Sequence, residues 1–250
     1  MCAGRLHAAP VGLVAILIAA AGRVSGYDVV EVTNSGGVRG RIAFEGTPPA
    51  AVKTAIERDA KVCGTHVEEA AVQVGNDGGL AHVAVWLTDI ESGAAPDPAA
   101  TPKLDNIHCR FVPHVQTLAV GQTLLIRNSD PILHNTHSYV LEGAGNLFNL
   151  ALPTQGKEIR KPIKKTGIHQ VKCDAGHTWM NAYFLVFDHP YHAVTDAAGR
   201  FVLNGIPAGT YTLRAWHETL GTRDVQVKVA AEDTADIPVI LFATTASPGR

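Results

Sequence analysis

Four side chains in the second half of the chain have the donor chemistry of a soft metal site. Cys173, His177 and Met180 lie in one short segment, Val171-Lys172-Cys173-Asp174-Ala175-Gly176-His177-Thr178-Trp179-Met180. His134 lies upstream in Asn128-Ser129-Asp130-Pro131-Ile132-Leu133-His134-Asn135. Met180 is the only methionine besides the initiator. A thiolate, two imidazoles and a thioether suit copper, and two His with one Cys in a plane and a weak axial Met form the blue-copper arrangement. A strand ending at Cys173, followed by a tight loop, delivers three donors; a distant segment must deliver the other imidazole. The competing reading is a metal-free β protein in which Cys173 has no ligand role.

The remaining histidines divide on position. His137 competes with His134 for the second imidazole, and His134 is preferred because it directly follows the apolar stretch Thr123–Asn128. His169 is disfavoured: along an extended Gly167–Cys173 segment, four residues span about 13 Å, too far for one ion. His114 either binds a second metal or is a hydrogen-bonded structural residue, and His189, His192 and His217 read as structural or solvated. Asp174 is either an acceptor behind the ligands or a loop carboxylate. Trp179 and Tyr183 either shield a metal from water or belong to the core. There is no His-Glu-x-x-His segment and no Gly-x-Ser-x-Gly elbow, so zinc-hydrolase and nucleophile-elbow chemistry have no support and no enzyme is expected.

The elements that position these donors read as short strands. Val38–Glu45, Ala81–Thr88, Phe111–Val120, Thr123–Asn128, Gly167–Cys173 and Ala182–Asp188 are strand-like, as are Phe201–Leu203, Tyr211–Trp216, Asp224–Val229 and Ile237–Phe242. Gly- and Pro-containing turns separate them, the pattern of β-sandwiches. The best helical stretch is Ala50–Lys61, and Ser92–Lys103 has the composition of an exposed linker.

The chain is 250 residues long, 46% hydrophobic and 18% charged, so it can bury a core. A net charge of −2 and no basic run argue against nucleic acid as a partner. Arg5 followed by the eleven apolar residues Val11–Ala21 suits a secretory signal and is too short to span a bilayer. Cleavage is expected before Tyr27 or after Gly22, placing the protein in the periplasm or outside the cell with no stable membrane insertion. Loss of Cys2 leaves Cys63, Cys109 and Cys173. An odd count in an oxidising compartment implies one free thiol. The economical pairing is Cys63–Cys109 with Cys173 as a ligand; three reduced, buried thiols are the alternative.

Thr117–Asp188 resembles a cupredoxin domain. Val120-Gly121-Gln122-Thr123 with Ile126-Arg127-Asn128 resembles the strand before the first His ligand, Leu133-His134-Asn135 resembles that ligand, and Cys173, His177 and Met180 match the C-terminal ligand loop. The resemblance extends to exported plastocyanin-like proteins that continue into a carboxypeptidase-regulatory-like module. It does so through Cys109–Val115, Phe148–Ala151, Asp188–Tyr191, Thr195–Phe201, Gly209–Leu213 and Ala215–Glu218. It implies an all-β chain: a Greek-key cupredoxin β-sandwich plus a smaller transthyretin-like β-sandwich. The expected division is a signal peptide at 1–26, an N-terminal β segment with linker at 27–102, a copper domain at 103–188, the regulatory-like module at 189–243 and a loose tail at 244–250. The loop departs from the common blue-copper pattern, with only two residues between His177 and Met180. That gap is found in the binuclear copper loop of cytochrome oxidase, but His169 stands where that loop has a second Cys. One copper ion is therefore expected. The implied function is a mononuclear electron carrier with an unidentified redox partner protein. The alternatives are copper delivery without turnover, and a metal-free secreted binding module.

Overall fold

The computed structural model describes residues 26–142 and 145–244. The signal segment expected over 1–26 and the tail expected over 244–250 lie, apart from Gly26 and Thr244, outside the described residues. The chain is all-β: among the described residues the only α-helix is the single turn Ala60–Cys63.

One sandwich holds the middle of the chain. Its first sheet runs in the order Glu158–Pro162, Thr123–Asn128, Lys103–Ile107, Arg110–Val112. Its second runs Asn149–Leu152, His134–Val140, Gly167–Cys173, His177–Phe187, Val115–Ala119. Alternate side chains of both sheets, among them Leu104, Leu124, Ile126, Val171, Phe184 and Val186, meet in one buried core. Two-residue periodicity explains why: Val171 lies opposite Ala182, and His169 opposite Phe184, all pointing inward.

The second sandwich is assembled from both ends of the described chain. Its sheets run His192–Val194, Ala84–Leu87, Gly209–His217, Gly221–Val229, and Arg200–Ile206, Gly36–Glu45, Thr234–Asp236, with Ile240–Ala243 also paired to Gly36–Glu45. Val38, Ile42, Val85, Leu87, Phe201, Leu203, Leu213 and Phe242 share its core. This corrects the division expected from the resemblance. Residues 27–102 are not a separate β segment, and 189–243 is not a complete module. Gly36–Glu45 supplies the partner that Arg200–Ile206 needs, in antiparallel register from Arg41↔Arg200 to Gly36↔Ile206. The first sandwich is an insertion between Ala84–Leu87 and His192–Val194, which pair with each other. Nothing local in the sequence encodes pairing across such a distance.

The helix expected over Ala50–Lys61 is also corrected. Among the described residues Val52–Ala55 is a strand paired only with His66–Glu69, and only Ala60–Cys63 is helical. Ile56 is the one residue of the stretch that is buried, and strand pairing with His66–Glu69 overrides the helical spacing of Val52, Ala55 and Ile56.

The two sandwiches meet through Ala84, Trp86, Val115, Leu185 and Trp216, with Trp86 on Phe187 at 5.2 Å and Tyr183 on Trp216 at 5.4 Å between ring centroids. A charged contact joins them beside this patch. His114 donates from Nδ1 to the Asn181 carbonyl at 3.2 Å and from Nε2 to Glu218 Oε1 at 2.7 Å. Burial pulls the His114 pKa down, but the hydrogen bond and charge of Glu218 outweigh it, and the net direction is up from 6.5. For Glu218, burial pushes up, but the His114 hydrogen bond together with the charges of His217 and His114 outweighs it, and the net direction is down from 4.5. The Glu218 contribution is thus present above pH 4.5 and lost as pH falls through its depressed value. The His114 contribution is present below pH 6.5 and lost as pH rises through its elevated value. We predict that Glu218→Gln destabilises the protein by about 1.5–3 kcal/mol at pH 5.5, with a smaller difference from wild type at pH 9. Urea denaturation at the two pH values measures this; an equal loss at both would exclude a charged pair.

Candidate metal centre

His134, Cys173 and His177 come together at one end of the first sandwich. His134 opens the strand His134–Val140, Cys173 ends Gly167–Cys173, and His177 starts His177–Phe187. The last two are joined by a three-residue loop, with a register shift between Lys172 and Cys173 that turns Cys173 toward His177. All three are buried. Cys173 Sγ lies 3.9 Å from His134 Nδ1 and 3.5 Å from His177 Nδ1, and the two Nδ1 atoms are 3.1 Å apart. These separations suit three atoms sharing one ion at about 2.0 Å from nitrogen and about 2.3 Å from sulfur.

The protonation of the rings follows from their outer nitrogens. His134 Nε2 donates to Asp130 Oδ2 at 3.0 Å, and His177 Nε2 donates to Asp59 Oδ2 at 2.8 Å. A carboxylate accepts, so each neutral ring carries its proton on Nε2 and turns a bare Nδ1 lone pair inward. Two lone pairs 3.1 Å apart beside a thiol repel unless a cation lies between them. Burial, with the neighbouring His177, holds His134 below its ordinary pKa despite Asp130, which disfavours a proton as that cation. Burial raises the Cys173 thiol, while backbone N–H groups of Asn135, Ala175 and His177 favour its thiolate; the Asn135 N–H donates to Sγ at 3.3 Å. The donor set therefore fits a thiophilic metal ion.

Asp130 is the hub behind His134. Its Oδ1 accepts the His108 N–H and its Oδ2 the Cys109 N–H, each at 2.8 Å. Those amides converge because His108 and Cys109 both have left-handed backbones, φ 53° and 55°, the geometry of a two-residue hairpin turn. Asn128, fully buried, fixes the connection by donating to the carbonyls of Ile132 and Leu152 and accepting the Asp130 N–H. Trp179 stands 5.3 Å from the His177 ring and donates from its indole to the Cys109 carbonyl at 3.1 Å. Cys63 and Cys109 form a disulfide, Cα–Cα 5.4 Å, and Cys173 is a free, buried cysteine.

Met180 is 1% exposed and belongs to the same core as Cys173 and Trp179. It also borders a groove of about 680 Å³ lined by Phe111, His114 and Tyr183. His137 is not in the donor group. Three residues from His134 on a strand, it points to the opposite face, where it meets Asp174 Oδ2 at 2.7 Å and packs on Tyr139 with the rings tilted and their centroids 4.0 Å apart. His169 is buried on the inward face but stands outside the group, with Nδ1 3.4 Å from Ser138 Oγ. Asp174, exposed, accepts from His137 and Tyr139. Tyr183 packs at the junction on Trp216. The sequence reading gave no role to Asp59 or Asp130. Asp130 had a local signal, a carboxylate four residues before His134, whereas Asp59 is brought in from a remote segment.

No protein-family model matches the chain, and no curated protein matches it. Among solved structures, part of the chain is similar to a copper-containing nitrite reductase from Thermus scotoductus SA-01. The identity is 18% and the TM-score 0.31, over 41% of this chain and 25% of that one; the chain spans about a quarter of that protein's length. A purple cupredoxin from Nitrosopumilus maritimus matches at 22% identity and TM-score 0.30, over 34% of this chain and 99% of that one. Amicyanin from Paracoccus versutus matches at 17% identity and TM-score 0.31, over 41% of this chain and 97% of that one.

Asp130→Ala removes the acceptor of two backbone N–H groups and of the His134 ring. We predict a loss of about 2–4 kcal/mol in the metal-free protein and, in whatever remains folded, a roughly 10–100-fold weaker affinity for a thiophilic ion. Chemical denaturation and competitive metal titration read the two effects separately.

Proposed function

We propose that this chain is an exported mononuclear copper protein of the cupredoxin type that carries electrons. The observation that carries the reading is the buried triangle of the His134 Nδ1, His177 Nδ1 and Cys173 Sγ atoms, with both Nε2 atoms turned to carboxylates. Copper is chosen over zinc because Met180, a soft thioether, is the donor left in the same core. His134, Cys173 and His177 would hold the ion, and Met180, buried in the same core, would be the candidate fourth donor. When bound, the copper supplies a one-electron couple. The chain's own part is to hold both imidazoles in one tautomer, exclude water, and keep the donors in place through both oxidation states. Four protein donors would leave no position for substrate, which favours an electron carrier over an enzyme.

The Cys63–Cys109 disulfide supports an oxidising location, periplasmic or extracellular. No described helix is long and apolar enough to cross a membrane. The partner is a redox protein; the net charge of −2 gives nucleic acid no basic face. The second sandwich is read as a carboxypeptidase-regulatory-like scaffold without peptidase activity.

Loading the purified protein with copper and recording its visible and paramagnetic resonance spectra tests this reading. One copper per chain and a thiolate charge-transfer band are expected. Cys173→Ser should abolish the band and weaken binding severely, and His134→Gly or His177→Gly should admit added imidazole. Met180→Leu should keep the copper and shift its potential. His169→Ala should leave the stoichiometry at one. Reversible reduction by a small carrier protein separates electron transfer from copper delivery. Two coppers per chain, or full retention in Cys173→Ser, overturns the assignment.

A further inference from the structure

The outer edge of His177 is closed by a segment from far away in the chain. Val52–Ala55 and His66–Glu69 form a two-stranded hairpin that, among the described residues, pairs with no other strand. Its tip carries Arg58, Asp59 and the helical turn Ala60–Cys63. Asp59, in a left-handed conformation at φ 56°, places Oδ2 2.8 Å from His177 Nε2. Arg58 lies against Gly176, in the loop between Cys173 and His177: a Cβ at Gly176 would stand 2.9 Å from Arg58 Cδ. Under this cover the His177 side chain has no exposed surface.

The hairpin has little else to hold it. Its helical turn buries no residue, and only Ile56 and Val67 enter the core beneath. Arg110 adds bonds to Glu69 and to the Glu68 carbonyl, on exposed groups, and surface pairs of this kind contribute little. An isolated two-stranded hairpin is marginal in water. The covalent fastening is Cys63–Cys109, and it ties the hairpin to the turn whose Cys109 N–H anchors Asp130 behind His134. One bridge thus connects the carboxylates that hold both imidazoles.

We propose that residues 52–69 form a disulfide-fastened lid, in which Asp59 is the positioning residue for His177. Reduction of Cys63–Cys109 releases the lid and opens the metal centre to exchange. This rests on, and deepens, the copper reading. The reductant is a dithiol. Its thiolate attacks the Cys63 sulfur, which is partly exposed while Cys109 is 1% exposed. A mixed disulfide forms and Cys109 leaves as a thiolate. The second thiol then resolves the mixed disulfide. Two electrons and two protons pass to the cysteine pair, and the dithiol becomes a cyclic disulfide.

The test is alkylation of Cys173 in the metal-free full chain, read at that residue by peptide mass spectrometry, together with copper loss to a chelator in the loaded protein. With the bridge intact, Cys173 should alkylate slowly. Cys63→Ser/Cys109→Ser and Asp59→Ala should each speed alkylation at least tenfold and hasten copper loss. Asp59→Asn, which keeps an acceptor for His177 Nε2, should stay near wild type; a purely structural role would not require that rescue. If the double serine variant fails to fold, Asp59→Ala and dithiol-treated wild type decide. Unchanged alkylation in these forms overturns the lid. A protein that binds no copper yet shows the alkylation pattern loses the copper reading and keeps the lid. One that binds copper yet shows no response to either change keeps the copper reading and loses the lid.

Discussion

Two neutral imidazoles turn bare nitrogens toward each other only when something else holds their protons. Here a pair of carboxylates does so, Asp130 behind His134 and Asp59 behind His177. Without them either ring could move its proton to Nδ1, and the two histidines would hydrogen-bond to each other across 3.1 Å, sealing the gap. The acceptors keep the centre of the triangle electron-rich and vacant of hydrogen. The chemistry proposed for the site follows from that polarity more than from the identity of the donors alone.

The scaffold serves this arrangement at one end of one sandwich. The inward faces of three neighbouring strands deliver His134, Cys173 and His177. Cys109 concentrates several roles there: its N–H anchors Asp130, its carbonyl receives the Trp179 indole, and its sulfur fastens the hairpin carrying Asp59. The left-handed turn at His108 and Cys109 makes these compatible, because it points consecutive N–H groups the same way while leaving the sulfur outside the ladder. The second sandwich braces another face through tilted and edge-on aromatic pairs and the His114–Glu218 pair.

What was legible in the sequence was what local spacing encodes. Alternating apolar residues and Gly/Pro turns give the all-β class, and Thr123–Asn128 and Gly167–Cys173 appear with the bounds read from the sequence. Strand parity separates His134 from His137 once the strand is known. Three kinds of feature were hidden. The strand His134–Val140 is rich in His, Asn, Thr and Ser, so its inward polar face gave no alternation of hydrophobicity. The pairing of Gly36–Glu45 with Arg200–Ile206 is non-local. Asp59 sits in a stretch that reads as helix locally and becomes a hairpin tip because Val52–Ala55 pairs instead with His66–Glu69. A carboxylate that acts through space on a remote ring leaves no trace in its own neighbourhood.

The insertion of one sandwich into the other sets an order for folding. Gly36–Glu45 waits for strands at the far end of the described chain, Arg200–Ile206, Thr234–Asp236 and Ile240–Ala243. Closing so long a loop from an open coil is entropically costly and slow. Once the inserted sandwich has formed, however, its two ends emerge side by side, where Ala84–Leu87 meets His192–Val194. The long loop then becomes a short one. The inserted sandwich thereby acts as a clamp that brings the halves of its host within reach, and a lesion in its core would leave the outer sandwich with intact strands and no means of bringing them together quickly.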